Sequence, residues 1–245
     1  MKSVLEICAG DIGSVVAAQR GGAQRVELCS ALALGGLTPS QGFINAAVGV
    51  GGLRVHVLVR HREGDFVYSA AELSAMLKDI EMVAHAGADG VVIGALCADG
   101  TVDVDACRQM VLMAKSHGLS VTFHRAFDRV CRPMEALEQV IALGCDYLLT
   151  SGCAESAIKG VEMLKRLQKA ACGRIEIIAA AGINSDNVAE VMRRSGCRQV
   201  HASARHNVPS SMQYERSEVR MGASDAERER LTTDIEEVIK IVSQI

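Results

Sequence analysis

The chain lacks Trp, contains three Pro, and carries aromatic side chains at only 3% of its 245 positions. So few prolines argue against a disordered tail. The formal net charge is −3, and no clusters of Lys and Arg interrupt it, which excludes a nucleic-acid footprint. No window approaches the roughly 18 uninterrupted apolar residues of a membrane span. The first apolar run, in "MKSVLEICAGD", is broken by Glu6 before a signal-peptide core can form, so the expected location is cytoplasmic. Also missing is any Cys-x-x-Cys pair, which removes a zinc knuckle and a thioredoxin motif from consideration.

What is present is an ordinary globular composition, 49% hydrophobic and 22% charged. There are nine cysteines, an odd number at irregular spacings. In a reducing compartment they are expected as free thiols, most of them buried as small hydrophobes. Cys8 and Cys29 stand apart, because "LEIC" and "VELC" place the same Glu-x-Cys tripeptide at the end of two successive apolar runs.

Short β-rich runs alternate with amphipathic segments along the whole chain. "SVLEIC", "RVELC", "RVHVLVR", "GVVIGAL", "SVTFHR", "YLLTSG", "IEIIAA" and "QVHASA" read as strands, each followed by a helix. Ser69 and Glu72 form a capping box at one helix start. Gly87, Gly118, Gly144 and Gly196 stand at helix ends. A last helix is expected with Leu231, Ile235, Val238, Ile239 and Val242 on one face. Strict alternation with near-continuous apolar strands means a parallel sheet covered by helices. Eight such units predict an α/β fold, a single-domain (β/α)8 TIM-type barrel over residues 1–245. An open doubly wound sheet is the competing architecture, but "CAGDIG" after the first strand is not a dinucleotide fingerprint.

Side chains alternate between the two faces of a strand. With Leu5, Ile7, Val26 and Leu28 turned to the helix layer, Glu6, Cys8, Glu27 and Cys29 point toward the barrel axis. The same rule sends His56 and Arg60, Thr122 and His124, and His201, Ser203 and Arg205 inward. Ionisable groups at the C-terminal strand ends are where barrel enzymes keep their chemistry. "AAAGINSDNV" and "VHASAR" follow the seventh and eighth strands, a common phosphate-binding position in barrels, with Gly182, Asn184 and Ser203 as candidate contacts. The 205–223 stretch, "RHNVPSSMQYERSEVRMGA", is a long connection between the last strand and last helix, a lid or an oligomer contact. It carries Arg205, Arg216, Arg220, Met212 and Met221.

Taken together, the two Glu-x-Cys pairs, "GGLTPS", "GDFVYS", "TFHRAFD", "LLTSG", "SAR" and "MGAS" resemble the CutC family from Glu6 to about Ser224. Two departures are "RHREGDF", where that family tends to have a Pro- and Gly-rich run, and "AAAGI" in place of a Gly-rich stretch. The resemblance implies a TIM-type barrel, a role in copper homeostasis, and Cu(I) binding by Cys8 and Cys29. A soft ion with a preference for thiolates suits that pair. The expected partners are therefore copper or a small anionic metabolite, without nucleic acid or membrane, in a homodimer or higher homo-oligomer.

A reading from a different class is a barrel enzyme acting on a small anionic, possibly phosphorylated, metabolite. There Glu6 or Glu27 serves as general acid or base with His124 as partner, and Asp128 orients His124. Arg60, Arg125 and Arg205 bind the anion, and Ser151, Gly182, His201 and Ser203 complete the binding set.

Overall fold

A computed structural model describes residues 3–214, 216, 218–219 and 228–245. Its centre is a closed eight-stranded barrel in which each strand runs parallel to its sequence neighbour and the eighth pairs with the first. The order is β1 (Val4–Ala9), α1 (Ile12–Arg20), β2 (Arg25–Leu28), α2 (Gln41–Val50), β3 (Arg54–Leu58), α3 (Ala70–His85), β4 (Gly90–Ile93) and α4 (Val104–Ser116). It continues with β5 (Ser120–Phe123), α5 (Pro133–Ala142), β6 (Tyr147–Thr150), α6 (Val161–Ala171), β7 (Glu176–Ala179), α7 (Val188–Ser195) and β8 (Gln199–Ala202). An antiparallel ribbon, β9 (Arg205–Pro209) with β10 (Glu229–Thr233), then precedes α8 (Ile235–Val242).

The main core lies between strands and helices. It holds Leu5, Ile7, Val26, Leu28, Val55, Val57, Val91, Ile93, Val121, Phe123, Val200 and Ala202, the row that strand alternation assigns to the helix layer. The opposite row fills the barrel axis. Cys29, Leu58 and Val92 cluster on one side of it, with Cys8 and Leu32 packed against them, and Leu149, Ile178 and Ala180 cluster on another. The helices start and stop as their sequences require. Ser69 and Glu72 close a reciprocal capping box at α3. Gly87, Gly118, Gly144 and Gly196 all take positive φ at helix ends.

Two expectations need correction at the end of the barrel. Leu231 belongs to β10, where it is exposed, and not to the last helix, which starts only after Asp234 caps it. Arg205 does not continue β8 toward the axis. The strand ends at Ala202, Ala204 adopts a left-handed φ of 45°, and Arg205 enters the ribbon with its side chain exposed. Of the long connection's named residues, Arg220 and Met221 lie outside the described residues. The ribbon is fastened to the first loop: Asp11 accepts from Ser14 N–H and from the Thr232 hydroxyl, and Thr233 N–H donates to Ser14 Oγ. Among the described residues no helix is long and apolar enough to cross a membrane.

Two imidazoles are sealed inside. Burial pushes His56 down to about 4 and His124 down to about 3. Both stay neutral in the fold, whereas the unfolded chain takes up these protons near pH 6.5. Their contribution to stability is therefore present above about pH 6.5 and is lost as pH falls toward 4. On going from pH 7 to pH 5, His56→Asn is expected to lose about 2 kcal/mol less stability than wild type in urea unfolding. Nitrogen NMR should show both wild-type rings still neutral at pH 5.

Candidate functional site

The sequence of β1, Val-Leu-Glu-Ile-Cys-Ala, puts Glu6 and Cys8 on the axis side, Glu6 one layer below Cys8. Parallel pairing then sets Cys8 beside Glu27 and Glu6 beside both Arg25 and His201. Cys29 follows the last residue of β2, held by its N–H to the carbonyl of Ala9. Gly36 makes room for it: a Cβ there would lie 3.5 Å from the Cys29 sulfur and 2.8 Å from Leu58, and its φ of 90° favours glycine.

The deepest member is Glu6, 1% exposed, in an ion pair with Arg25 Nε and 2.7 Å from His201 Nδ1. Arg25 also donates to Gln199 Oε1 at 2.9 Å and lies over the Tyr147 ring. Burial alone would raise the Glu6 pKa, but Arg25 and His201 override it and hold the carboxyl well below its usual range. The other ring nitrogen of His201, Nε2, lies 3.7 Å from Glu27 Oε2. Burial opposes charge on this ring, yet hydrogen bonding to Cys8 and Glu6 and the field of Glu27 raise its pKa well above the ordinary value.

At the top, the Cys8 and Cys29 sulfurs are 3.9 Å apart, and Cys29 Sγ lies 3.5 Å from Glu27 Oε2. One donor atom from each of Cys8, Glu27 and Cys29 falls within 4.8 Å of the others. The two thiols differ. A hydrogen bond from Cys29 outweighs burial and, with His201, holds the Cys8 thiol well below its usual pKa. Cys29 is raised well above it, by that same bond to Cys8, by burial and by the nearby negative charges. Glu27 is pushed up to about 8, by burial first, with His201 opposing and Cys8 and Glu6 adding to the rise. Cys8 is thus the more acidic of the two thiols, and Glu27 holds a proton more tightly than an ordinary carboxyl.

Of the remaining expected residues, Arg205 reaches this cluster through its charge, which helps to lower the Cys8 pKa, and the others do not join it. His124 lies against Phe66, with ring centroids 5.0 Å apart, and Arg60 stands over the same Phe66 ring. Asp128 does not orient His124. It accepts from Arg125 Nε at 2.7 Å, Thr150 Oγ1 at 2.5 Å and the N–H groups of Ser151 and Cys153, while His124 Nδ1 accepts from Ala126 N–H. Asp128 is the hub of the β5 and β6 loops, occupied by two side-chain and two backbone donors. Ser151 is buried and donates to the carbonyl of Ala154. Near the seventh strand, the Gly182 carbonyl accepts from Asn187 Nδ2, and Asn184 pairs with Asp186 and Asn187, so these loop groups satisfy one another. The Ser203 carbonyl accepts from Thr233. Arg205 lines a cleft of about 750 Å³ with Gly10, Asp11, Leu32, Asn207 and Leu231.

Arg25 and Gln199 were missed by the sequence reading. Arg25 precedes Glu27 by two residues and so shares its inward face, a signal available from alternation had it been carried back to the start of β2. Removing one partner of this buried pair leaves the other charge uncompensated. Glu6→Leu or Arg25→Met alone is expected to cost about 3–5 kcal/mol in urea unfolding. The double variant should cost less than the sum of the two, a coupling measured by the same unfolding series.

A model of the CutC family matches residues 3–206. A CutC family protein of Vibrio cholerae is 49% identical over 227 residues, covering 93% of this chain and 89% of the relative. One from Bacteroides fragilis is 47% identical over 250 residues, covering 100% of this chain and 98% of the relative. The crystal structure of a protein from Streptococcus agalactiae, named for copper homeostasis and CutC, superimposes with a TM-score of 0.78 at 32% identity. That match covers 82% of this chain and 98% of the other. With its barrel closed and its matched residues spanning all eight barrel strands, the chain belongs to the CutC family.

Proposed function

We propose that the protein binds Cu(I) as cargo through Cys8 and Cys29, as a copper homeostasis protein of a reducing, cytoplasmic compartment. The observation that carries this reading is the pair of sulfurs 3.9 Å apart with the Glu27 carboxylate beside them. Metal–thiolate bonds of about 2.3 Å allow two sulfurs on one ion to lie up to about 4.6 Å apart, so this spacing suits a single shared ion. Two sulfurs form a soft donor set, which favours Cu(I) over hard divalent ions. All nine cysteines are free, which supports a reducing environment. The copper homeostasis name of the Streptococcus agalactiae protein points the same way.

Cys8 provides the entry point, being the less buried residue of the pair and the more acidic thiol.

A Cu(I) competition titration tests the assignment. Cys8→Ser/Cys29→Ser is expected to lose well over tenfold in affinity, and a smaller loss overturns the two-sulfur site. In wild type, about one proton should be released per Cu(I) at pH 7, read from calorimetry in buffers of different ionisation enthalpy.

The enzyme reading keeps one observation in its favour. Glu6 and Glu27 face the same imidazole with their pKa values driven apart, the pattern of an acid–base pair. In that reading His201, and not His124, is the partner of the carboxylates. A thermal-shift screen of small anionic metabolites against wild type and Glu27→Gln tests it. A ligand that stabilises only wild type supports catalysis, and the absence of one removes this reading.

A further inference from the structure

Around the ends of β3 and β5 lies a second polar corner, built on Arg60, His124, Phe66 and Tyr68. Arg60 is 6% exposed. Its Nη1 donates to the carbonyls of Leu34 and Gly36, each at 3.0 Å, and Nη2 donates to Gly64 O at 2.9 Å. Those bonds pin two mouth loops, but they bring no negative charge. Among the described residues no carboxylate pairs with Arg60, in contrast to Arg25, which has Glu6. Its Nε–H is buried and has no acceptor.

His124 offers a donor of the same kind. Because Nδ1 accepts from Ala126 N–H at 3.1 Å, the neutral ring carries its proton on Nε2. Nε2 is buried and has no partner. Burial and the charge of Arg60 keep the ring neutral and the tautomer fixed. Gly94 supports the ring from below, where a Cβ would lie 2.6 Å from it. The Tyr68 hydroxyl is buried with its oxygen turned toward Arg60, and among the described residues its proton has no acceptor. Phe66 ties the corner together, its ring centre 5.1 Å from Arg60 Cζ and 5.0 Å from the His124 ring centre.

Three buried donors and a fixed positive charge share one neighbourhood, and among the described residues no carboxylate serves them, the neutral Tyr68 oxygen being turned toward Arg60. We propose that this corner is a binding site for the carboxylate or phosphoryl group of a small metabolite, held by Arg60 Nε–H and His124 Nε2–H with the Tyr68 hydroxyl as a third donor. The chemistry excludes the alternatives in turn. A cation is repelled by Arg60. A water molecule can accept from the donors, but its own two hydrogens then need acceptors, and it leaves the charge unmatched. An oxyanion supplies both the acceptors and the missing charge. The site sits at the C-terminal end of the barrel, where ligands of this fold gather. It shares no residue with the two-sulfur site and does not depend on the copper reading.

The test uses the full chain without metal, at constant ionic strength in chloride, with inorganic phosphate and acetate as separate probes. In histidine-labelled protein, the Nε2–H resonance of His124 should shift on addition of one probe in a saturable way, and the tighter of the two identifies the group. Tyr68→Phe, which removes only a hydroxyl, should weaken binding about 3- to 10-fold, and His124→Phe by more than about tenfold. Cys8→Ser/Cys29→Ser should leave it unchanged. If His124→Phe does not fold, the resonance and Tyr68→Phe decide alone. An unmoved Nε2–H resonance with both anions overturns the site. So does a crystal grown in phosphate that shows only an ordered water at His124 Nε2.

Discussion

A carboxylate, a guanidinium and an imidazole lock the barrel axis at the first strand, and the chemistry above depends on them. Glu6 is held ionised by Arg25 first, with His201 adding to the effect. Its second oxygen faces His201, which can then carry a proton although buried. That imidazolium favours the thiolate on Cys8, and the thiolate in turn helps keep Glu27 protonated. The two sulfurs differ in acidity first because Cys29 donates to Cys8, and then because His201 bonds to Cys8 while Glu27 lies beside Cys29.

Much of this arrangement was legible in strand alternation. Apolar residues at 5, 7, 26 and 28 must meet the helices, and that fixes the direction of Glu6, Cys8, Glu27 and Cys29 without any coordinate. Depth was less visible. Alternation tells inside from outside, but the stagger between strands decides that Glu6 lies level with Arg25 while Cys8 lies level with Glu27. Short-range pairing was harder still. Asp128 sits four residues after His124, yet the turn at 125–129 directs its carboxylate to backbone N–H groups of the next loop. The ribbon was invisible for a plainer reason. "RHNVP" and "ERLTT" have little apolar alternation, because neither face of β9 and β10 is buried in a core.

Arg25 and Arg60 show two ways of burying the same side chain. Arg25 finds its counter-charge within the fold and stacks on Tyr147, so it closes the barrel interior. Arg60 meets carbonyl oxygens, an aromatic face and the Tyr68 hydroxyl, and among the described residues no carboxylate. Carbonyl dipoles spread a positive charge without cancelling it. The barrel mouth therefore holds two corners of opposite character. One gathers sulfur and carboxylate around β1 and β2, and the other presents uncompensated donors around β3 and β5.

Glu27 lies in β2 and Cys29 just past its last residue, and Cys8 is the penultimate residue of the strand beside it. Their spacing is a property of β geometry: the pleat repeat along one chain and the ladder distance to the next. Beyond the turn at Gly36, which leaves room for the Cys29 sulfur, surface connections around the mouth are free to lengthen, shorten or change composition through descent while the donor triangle keeps its dimensions. A single residue inserted within either strand has the reverse effect, rotating all of its donors into the hydrocarbon layer beneath the helices.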